Sequence, residues 1–99
     1  MPKTLFKRVV KYFKEVLPDK FSVRRCKMPK GFEGDCDYRE GVYYIRISNK
    51  LSEGEALNCF LHEAAHIGSM LKLNETNYHG KDFGIQYSKI YKLYEAKFT

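Results

Sequence analysis

Two histidines and a glutamate stand in the sequence at a spacing that suits a metal ion. Residues 62–66 read His-Glu-Ala-Ala-His, an H-E-x-x-H pattern. On an α-helix, His62 and His66 lie one turn apart on the same face, so both imidazoles can reach one cation. Imidazole nitrogen is a usual ligand of zinc, which makes Zn²⁺ the predicted metal. Glu63 directly follows the first histidine, where its carboxylate can take a proton from a water molecule beside the metal.

A catalytic zinc site normally has three protein ligands, so the two histidines need a third. His79 is the remaining histidine of the chain and follows a polar segment that can turn back toward the helix. We therefore predict His62, His66 and His79 as the metal ligands and Glu63 as the catalytic base. Three acidic residues are alternative third ligands: Glu75, Asp82 and Glu95.

The first half of the chain predicts a helix followed by strands. Apolar residues recur at helical spacing across residues 3–17, and Pro18 ends that pattern. Residues 20–26 are a candidate strand, and residues 34–38 and 42–48 are two more, joined by a short loop that contains glycine. We expect an antiparallel sheet of about three strands, because a two-stranded hairpin alone is marginally stable.

The second half of the chain predicts two helices. Ser52 and Glu55 form an S-x-x-E capping box, which marks the start of the helix that carries His62 and continues to about Leu73. A last helix begins near Lys81, and its aromatic stripe is more typical of core packing than of stacking on bases. The predicted fold class is α+β. Residues 1–99 form one domain, in which a small sheet packs against an N-terminal helix, the H-E-x-x-H helix and a C-terminal helix.

Composition argues against several classes of protein. Hydrophobic residues make up 43% of the chain and aromatic residues 15%, which favours a globule over a disordered chain. No apolar run approaches the roughly 20 residues that cross a bilayer, so we do not expect a membrane protein. The N-terminus lacks the apolar core of a secretory signal, and the three cysteines cannot all pair within one chain. We therefore expect a cytoplasmic location.

Positive charge is concentrated in the N-terminal third. Residues 1–30 contain ten lysines and arginines and two acidic residues, whereas residues 31–79 contain four basic and eight acidic residues. This asymmetry suggests an acidic partner such as DNA, while the alternative is a solvated face that serves solubility. The candidate phosphate contacts are Lys3, Lys7, Lys11, Lys14, Arg24 and Arg25.

The order of these motifs resembles the SprT-like (Spartan-type) zinc metallopeptidases. A strand at residues 44–47 precedes the H-E-x-x-H segment, and residues 79–83 (His-Gly-Lys-Asp-Phe) follow it. That family pairs H-E-x-x-H with a later H-G-x-x-F whose histidine is the third ligand. The resemblance spans residues 34–90. It implies the ligand set given above and a protein or peptide substrate, which in this family is often a protein bound to DNA. The chain lacks the family's C-terminal four-cysteine ribbon, which suggests a minimal, phage-like or mobile-element version.

The predicted reaction is hydrolysis of a peptide bond. Zinc would polarise the scissile carbonyl, Glu63 would carry a proton to the leaving amine, and Tyr78 or another tyrosine would hydrogen-bond the developing oxyanion. The alternative from another class is a non-catalytic, zinc-stabilised binding or inhibitor protein that acts on a protein or nucleic acid. In that protein Cys59 would complete a closed, four-ligand site. A pseudo-enzyme that binds a peptide without cutting it is the third possibility.

Overall fold

The structure, a computed structural model, describes residues 4–73 and 81–99, with the side chains of residues 4–67 and 84–99. Within that part of the chain, three helices and three strands form an α+β fold, which confirms the predicted class. In chain order the elements are α1 (Leu5–Val16), β1 (Lys20–Cys26), β2 (Gly34–Arg39), β3 (Val42–Ser48), α2 (Glu53–Leu73) and α3 (Lys81–Phe98). Among the described helices, none has the length and apolar composition that crossing a membrane requires.

The sheet is mixed, so the expectation of a purely antiparallel sheet is wrong. The strand order is β1-β3-β2, with β2 antiparallel to β3 and β1 parallel to it. The central strand, β3, is the richest in β-branched and aromatic residues, which fit a position buried between two neighbours. The chain reverses direction after β1 and again after β2. These two reversals make β1 and β3 run the same way, and because β1 pairs with β3 instead of with β2, the two strands are parallel neighbours.

The core lies between one face of the sheet and the helices. Tyr43, Ile45 and Ile47 of β3 point to this face and are almost fully buried. Phe60 of α2 lies at its centre, with its ring centroid 5.9–6.1 Å from those of three other phenylalanines: Phe6, Phe13 and Phe21. These contacts fix α2 against α1 and β1, and α3 packs on α2 through the buried Ile90.

Hydrogen bonds fix the start of α2. The Ser52 backbone N–H donates to Glu55 Oε1 over 2.9 Å, and the Glu55 N–H donates to Ser52 Oγ over 3.2 Å. The predicted capping box is thereby confirmed. In the same turn, Glu53 Oε1 accepts a hydrogen bond of 3.0 Å from the backbone N–H of Phe6. One glutamate thus ties the first turn of α1, which has unpaired N–H groups, to the first turn of α2.

β2 approaches α2 so closely that position 34 has no room for a side chain. A Cβ atom on Gly34 would lie 2.6 Å from Cys59 Sγ and 2.8 Å from the carbonyl oxygen of Arg46. The second contact is with backbone, which cannot move aside as a flexible side chain can. Gly34 therefore sets the distance between the edge strand and the helix that carries His62.

We expect Gly34→Ala to lower the free energy of unfolding by about 1–3 kcal/mol, because the methyl group overpacks this contact. Gly84→Ala is the matched control, since a Cβ there meets no atom within 4 Å and alanine favours the helix by about 1 kcal/mol. Urea unfolding followed by circular dichroism measures both. A Gly34→Ala protein as stable as the parent would contradict the close approach of β2.

Candidate metal centre

The structure brings the side chains of His62, Glu63 and His66 together on α2, as the helical spacing predicts. Their candidate ligand atoms all lie within 4.8 Å of one another. The two imidazole rings meet edge to face, with centroids 5.3 Å apart and planes at 76°. Two nitrogen donors and one carboxylate within this distance can surround a single small cation.

These three side chains differ in exposure, and the difference follows from their positions on α2. His62 is half-buried, whereas Glu63 and His66 are each only 8% exposed. Their small neighbours Ala64 and Ala65 are buried in the core. The helix is therefore packed tightly on one side while His62 remains accessible on the other.

An open groove of about 630 Å³ runs past the cluster, and both His62 and Glu63 line it. The loop at residues 31–33 and the first residue of β2, Gly34, form one wall, and Tyr87 of α3 contributes to another. The loop carries Phe32, whose side chain is 60% exposed, although large apolar side chains usually lie inside. The groove gives a ligand direct access to His62 and to the Glu63 carboxylate.

Burial raises the pKa of Glu63 to about 7, and the negative charge of Asp35 adds to this effect. A carboxyl group with a pKa near neutrality can both accept and release a proton at physiological pH. A cation held by the two histidines would act in the opposite sense, because an opposite charge favours the ionised carboxylate.

Two cysteines, Cys36 and Cys59, lie close enough to the cluster to interact with the charge of Glu63. Burial, with a smaller contribution from the charge of Glu63, raises the pKa of both Cys36 and Cys59 to about 12. Cys59 lines the same groove as His62 but is not part of the ligand group. Zinc displaces the proton of a thiol that coordinates it, so the argument against a closed four-ligand site is the position of Cys59 outside the ligand group.

The predicted third ligands fall mostly outside the described residues. His79, the first choice, lies there together with Glu75 and Tyr78, and so does the side chain of Asp82. Glu95 is described, and it is exposed near the end of α3, apart from the ligand group. His79 as third ligand therefore stays a prediction, and Glu95 gains no support.

Tyr87 is a residue of the site that sequence reasoning missed. Its ring meets that of His62 edge to face, with centroids 5.8 Å apart and planes at 86°. Burial, together with the neighbouring Tyr91, raises the pKa of Tyr87. From its helical spacing, Tyr87 is predicted only to belong to the aromatic stripe of the last helix. To predict this contact one must know how far α3 is shifted along α2, and the spacing of apolar residues does not give that shift.

Comparison with known proteins assigns no family to the chain. No family model matches it, and neither does any curated protein or solved structure. The resemblance to SprT-like metallopeptidases rests on the order of its motifs and stays a prediction.

We expect the protein to bind close to one zinc ion per chain, measured by elemental analysis and by competition with a chromophoric chelator. His62→Ala and His66→Ala should each weaken zinc affinity by more than about 100-fold, exceeding the effect usual for an outer-shell partner. Asn58→Ala is the control, because Asn58 lines the same groove without belonging to the ligand group. The same titration on His79→Ala tests the third ligand. A protein that takes up no zinc would refute the site.

Proposed function

We propose that this protein is a zinc-dependent metallopeptidase that hydrolyses peptide bonds. One observation carries the proposal: the ligand atoms of His62, Glu63 and His66 lie within 4.8 Å of one another beside an open groove. Two imidazoles one helical turn apart, with an adjacent carboxylate as the general base, are the H-E-x-x-H arrangement of hydrolytic zinc sites. The groove supplies the access that an extended peptide needs.

The residues present fit zinc. His62 and His66 would hold the ion through ring nitrogens, and His79 would be the third ligand. Bound zinc supplies a Lewis acid that polarises the scissile carbonyl and lowers the pKa of a water molecule toward about 7. Glu63 stands beside the histidines, in the position of a base that acts on that water.

Glu63 moves the proton in this reaction. As the water oxygen bonds to the carbonyl carbon, Glu63 accepts the proton that the water loses. The same carboxyl group then donates the proton to the amide nitrogen as the carbon–nitrogen bond breaks, and it returns to its starting state. Glu63 is largely buried but lines the groove, so its carboxyl group can meet a substrate that lies there.

The alternative is a non-catalytic, zinc-stabilised binding or inhibitor protein with a closed site. A closed site normally has four protein ligands, and Cys59 is the candidate for the fourth. Cys59 lies outside the ligand group, and the groove leaves His62 and Glu63 accessible. Both observations favour an open site, which a hydrolase requires, over a closed one.

We expect Glu63→Gln to bind zinc as tightly as the parent but to lose about 10²–10⁴-fold in the rate of cleavage of unfolded casein, because the amide cannot accept the proton. Glu55→Gln is the matched control. It changes another glutamate of the same groove, and glutamine preserves the capping box.

Equal cleavage rates in the parent and in Glu63→Gln would contradict the assigned role of Glu63. A parent protein that binds zinc but cleaves nothing would point to the non-catalytic alternative or to a pseudo-enzyme.

The basic residues of the N-terminal third do not all lie on one surface of the fold. Arg25 donates hydrogen bonds of 3.1 and 2.9 Å to the carbonyl oxygens of Ser48 and Leu51, and it lies over the ring of Phe6. Its guanidinium is thus engaged within the fold. Arg24 lies on the exposed face of β1, opposite to the face on which Phe21 enters the core.

A second groove, of about 470 Å³, gathers basic and aromatic side chains from α1 and the end of α3. Arg8 lies 5.9 Å from the ring centroid of Phe98, and Lys97 lies 5.9 Å from that of Tyr12. Lys11 lines it too, and Glu15 is the one acidic residue among the described residues that do so. We propose that DNA binds along this groove, because cations contact phosphates and aromatic rings can stack on bases.

We expect the double variant Lys11→Ala/Lys97→Ala to weaken DNA binding and to lower the slope of log affinity against log salt by about 0.7–0.9 for each phosphate that is no longer neutralised. Arg39→Ala/Lys50→Ala removes the same charge from two exposed residues that do not line this groove, and it serves as the control. Mobility-shift titrations over a salt series measure both. Equal losses of affinity in the two variants, or no binding at low salt, would contradict a DNA site between α1 and α3.

A further inference from the structure

We infer that Tyr87 is the hydrogen-bond donor to the oxyanion that forms when a peptide bond is attacked in the groove. The inference rests on the proposed metallopeptidase function and adds a catalytic residue to it.

The position of Tyr87 carries the inference. Its ring meets the ring of His62 edge to face at 5.8 Å, and it lines the same groove as Glu63. Ile90, three residues farther along α3, is buried in the core and anchors this part of the helix. Tyr87 therefore contacts a predicted metal ligand and lines the groove before a substrate arrives. Electrostatic stabilisation of a transition state requires such a preoriented group.

The other described tyrosines lie elsewhere. Tyr12 lines the groove between α1 and α3, and Tyr38, Tyr43 and Tyr44 belong to the sheet. Tyr91 and Tyr94 lie farther along α3 and are not part of the lining at His62. Among the described tyrosines, Tyr87 is thus the one that reaches the groove beside His62 and Glu63. Tyr78, named from the sequence, lies outside the described residues.

The hydroxyl group of Tyr87 has a defined task in the reaction. When the water oxygen bonds to the carbonyl carbon, the π electrons of the C=O bond move onto the carbonyl oxygen. The Tyr87 O–H donates a hydrogen bond to that oxygen without transferring its proton, while Glu63 holds the proton from water. When the C–N bond breaks, the C=O bond reforms, Glu63 gives the proton to nitrogen, and Tyr87 is unchanged.

This task predicts a particular kinetic signature. A donor that acts mainly on the charged oxygen stabilises the transition state more than the bound substrate, so its loss lowers kcat and leaves KM nearly unchanged. The loss of one such donor typically costs about 10²–10³-fold in kcat. A residue that only positioned His62 would instead change zinc affinity.

The test is Tyr87→Phe, which keeps the ring against His62 and removes only the hydroxyl. Tyr91→Phe is the matched control, one turn farther along α3. We expect Tyr87→Phe to bind zinc like the parent, to cleave casein with a kcat lower by about 10²–10³-fold, and to bind acetohydroxamate about tenfold more weakly in the zinc-loaded form. Tyr91→Phe should match the parent in all three measurements.

Each other outcome overturns a defined part of the proposal. Unchanged kcat and unchanged acetohydroxamate affinity in Tyr87→Phe overturn the role of Tyr87, and so does a loss of zinc affinity, which would make it a positioning residue. A zinc-loaded parent that cleaves no peptide overturns the proposed function itself. The acetohydroxamate comparison then still decides whether Tyr87 donates to an oxygen held at the site.

Discussion

The packing of α2 against the rest of the fold is the constraint on which the site depends. Most side chains of residues 53–67, the part of α2 whose side chains the structure describes, are buried, and they include Ala56, Phe60 and Ala64. At 3.6 residues per turn, this leaves one narrow stripe on the groove side, with Glu55, Asn58, Cys59 and His62, while His66, one turn beyond His62, is buried. Glu63 lies at the border between stripe and core. That position explains how one carboxylate is both buried enough to have a raised pKa and close to both histidines.

Local sequence signals predicted the parts of the fold that local physics controls. The Ser52–Glu55 capping box marked the start of α2, and the His62–His66 spacing placed both imidazoles together. The pairing of β1 with β3 could not be predicted from local signals. Strand order depends on how the strands pack in the whole fold and not on the pattern of residues within each strand. The contact of Tyr87 with His62 was missed for a related reason: periodicity gives the face of a helix but not its offset along a neighbour.

The two grooves differ in charge although the chain as a whole is basic, with a net charge of +6. The groove at His62 is lined by three glutamates, Glu33, Glu55 and Glu63, with no lysine or arginine among its described lining residues. The groove between α1 and α3 has the opposite character, with Arg8 and Lys97 beside aromatic rings. Charge counted along the sequence indicates part of this division, since the three glutamates lie in the acidic segment 31–79, but it does not place Lys97 beside the basic residues of α1. Arg25, engaged with backbone carbonyls, belongs to neither groove.

X-ray absorption at the zinc K-edge of the zinc-loaded protein tests the central claim most directly, because it counts and types the atoms around the metal. An open hydrolytic site predicts nitrogen and oxygen neighbours at about 2.0–2.2 Å, including imidazole rings and one exchangeable oxygen, with no sulfur neighbour. A sulfur neighbour at about 2.3 Å would mean that Cys59 or another cysteine binds the ion. That result would contradict the open site and favour a zinc-stabilised protein without peptidase activity.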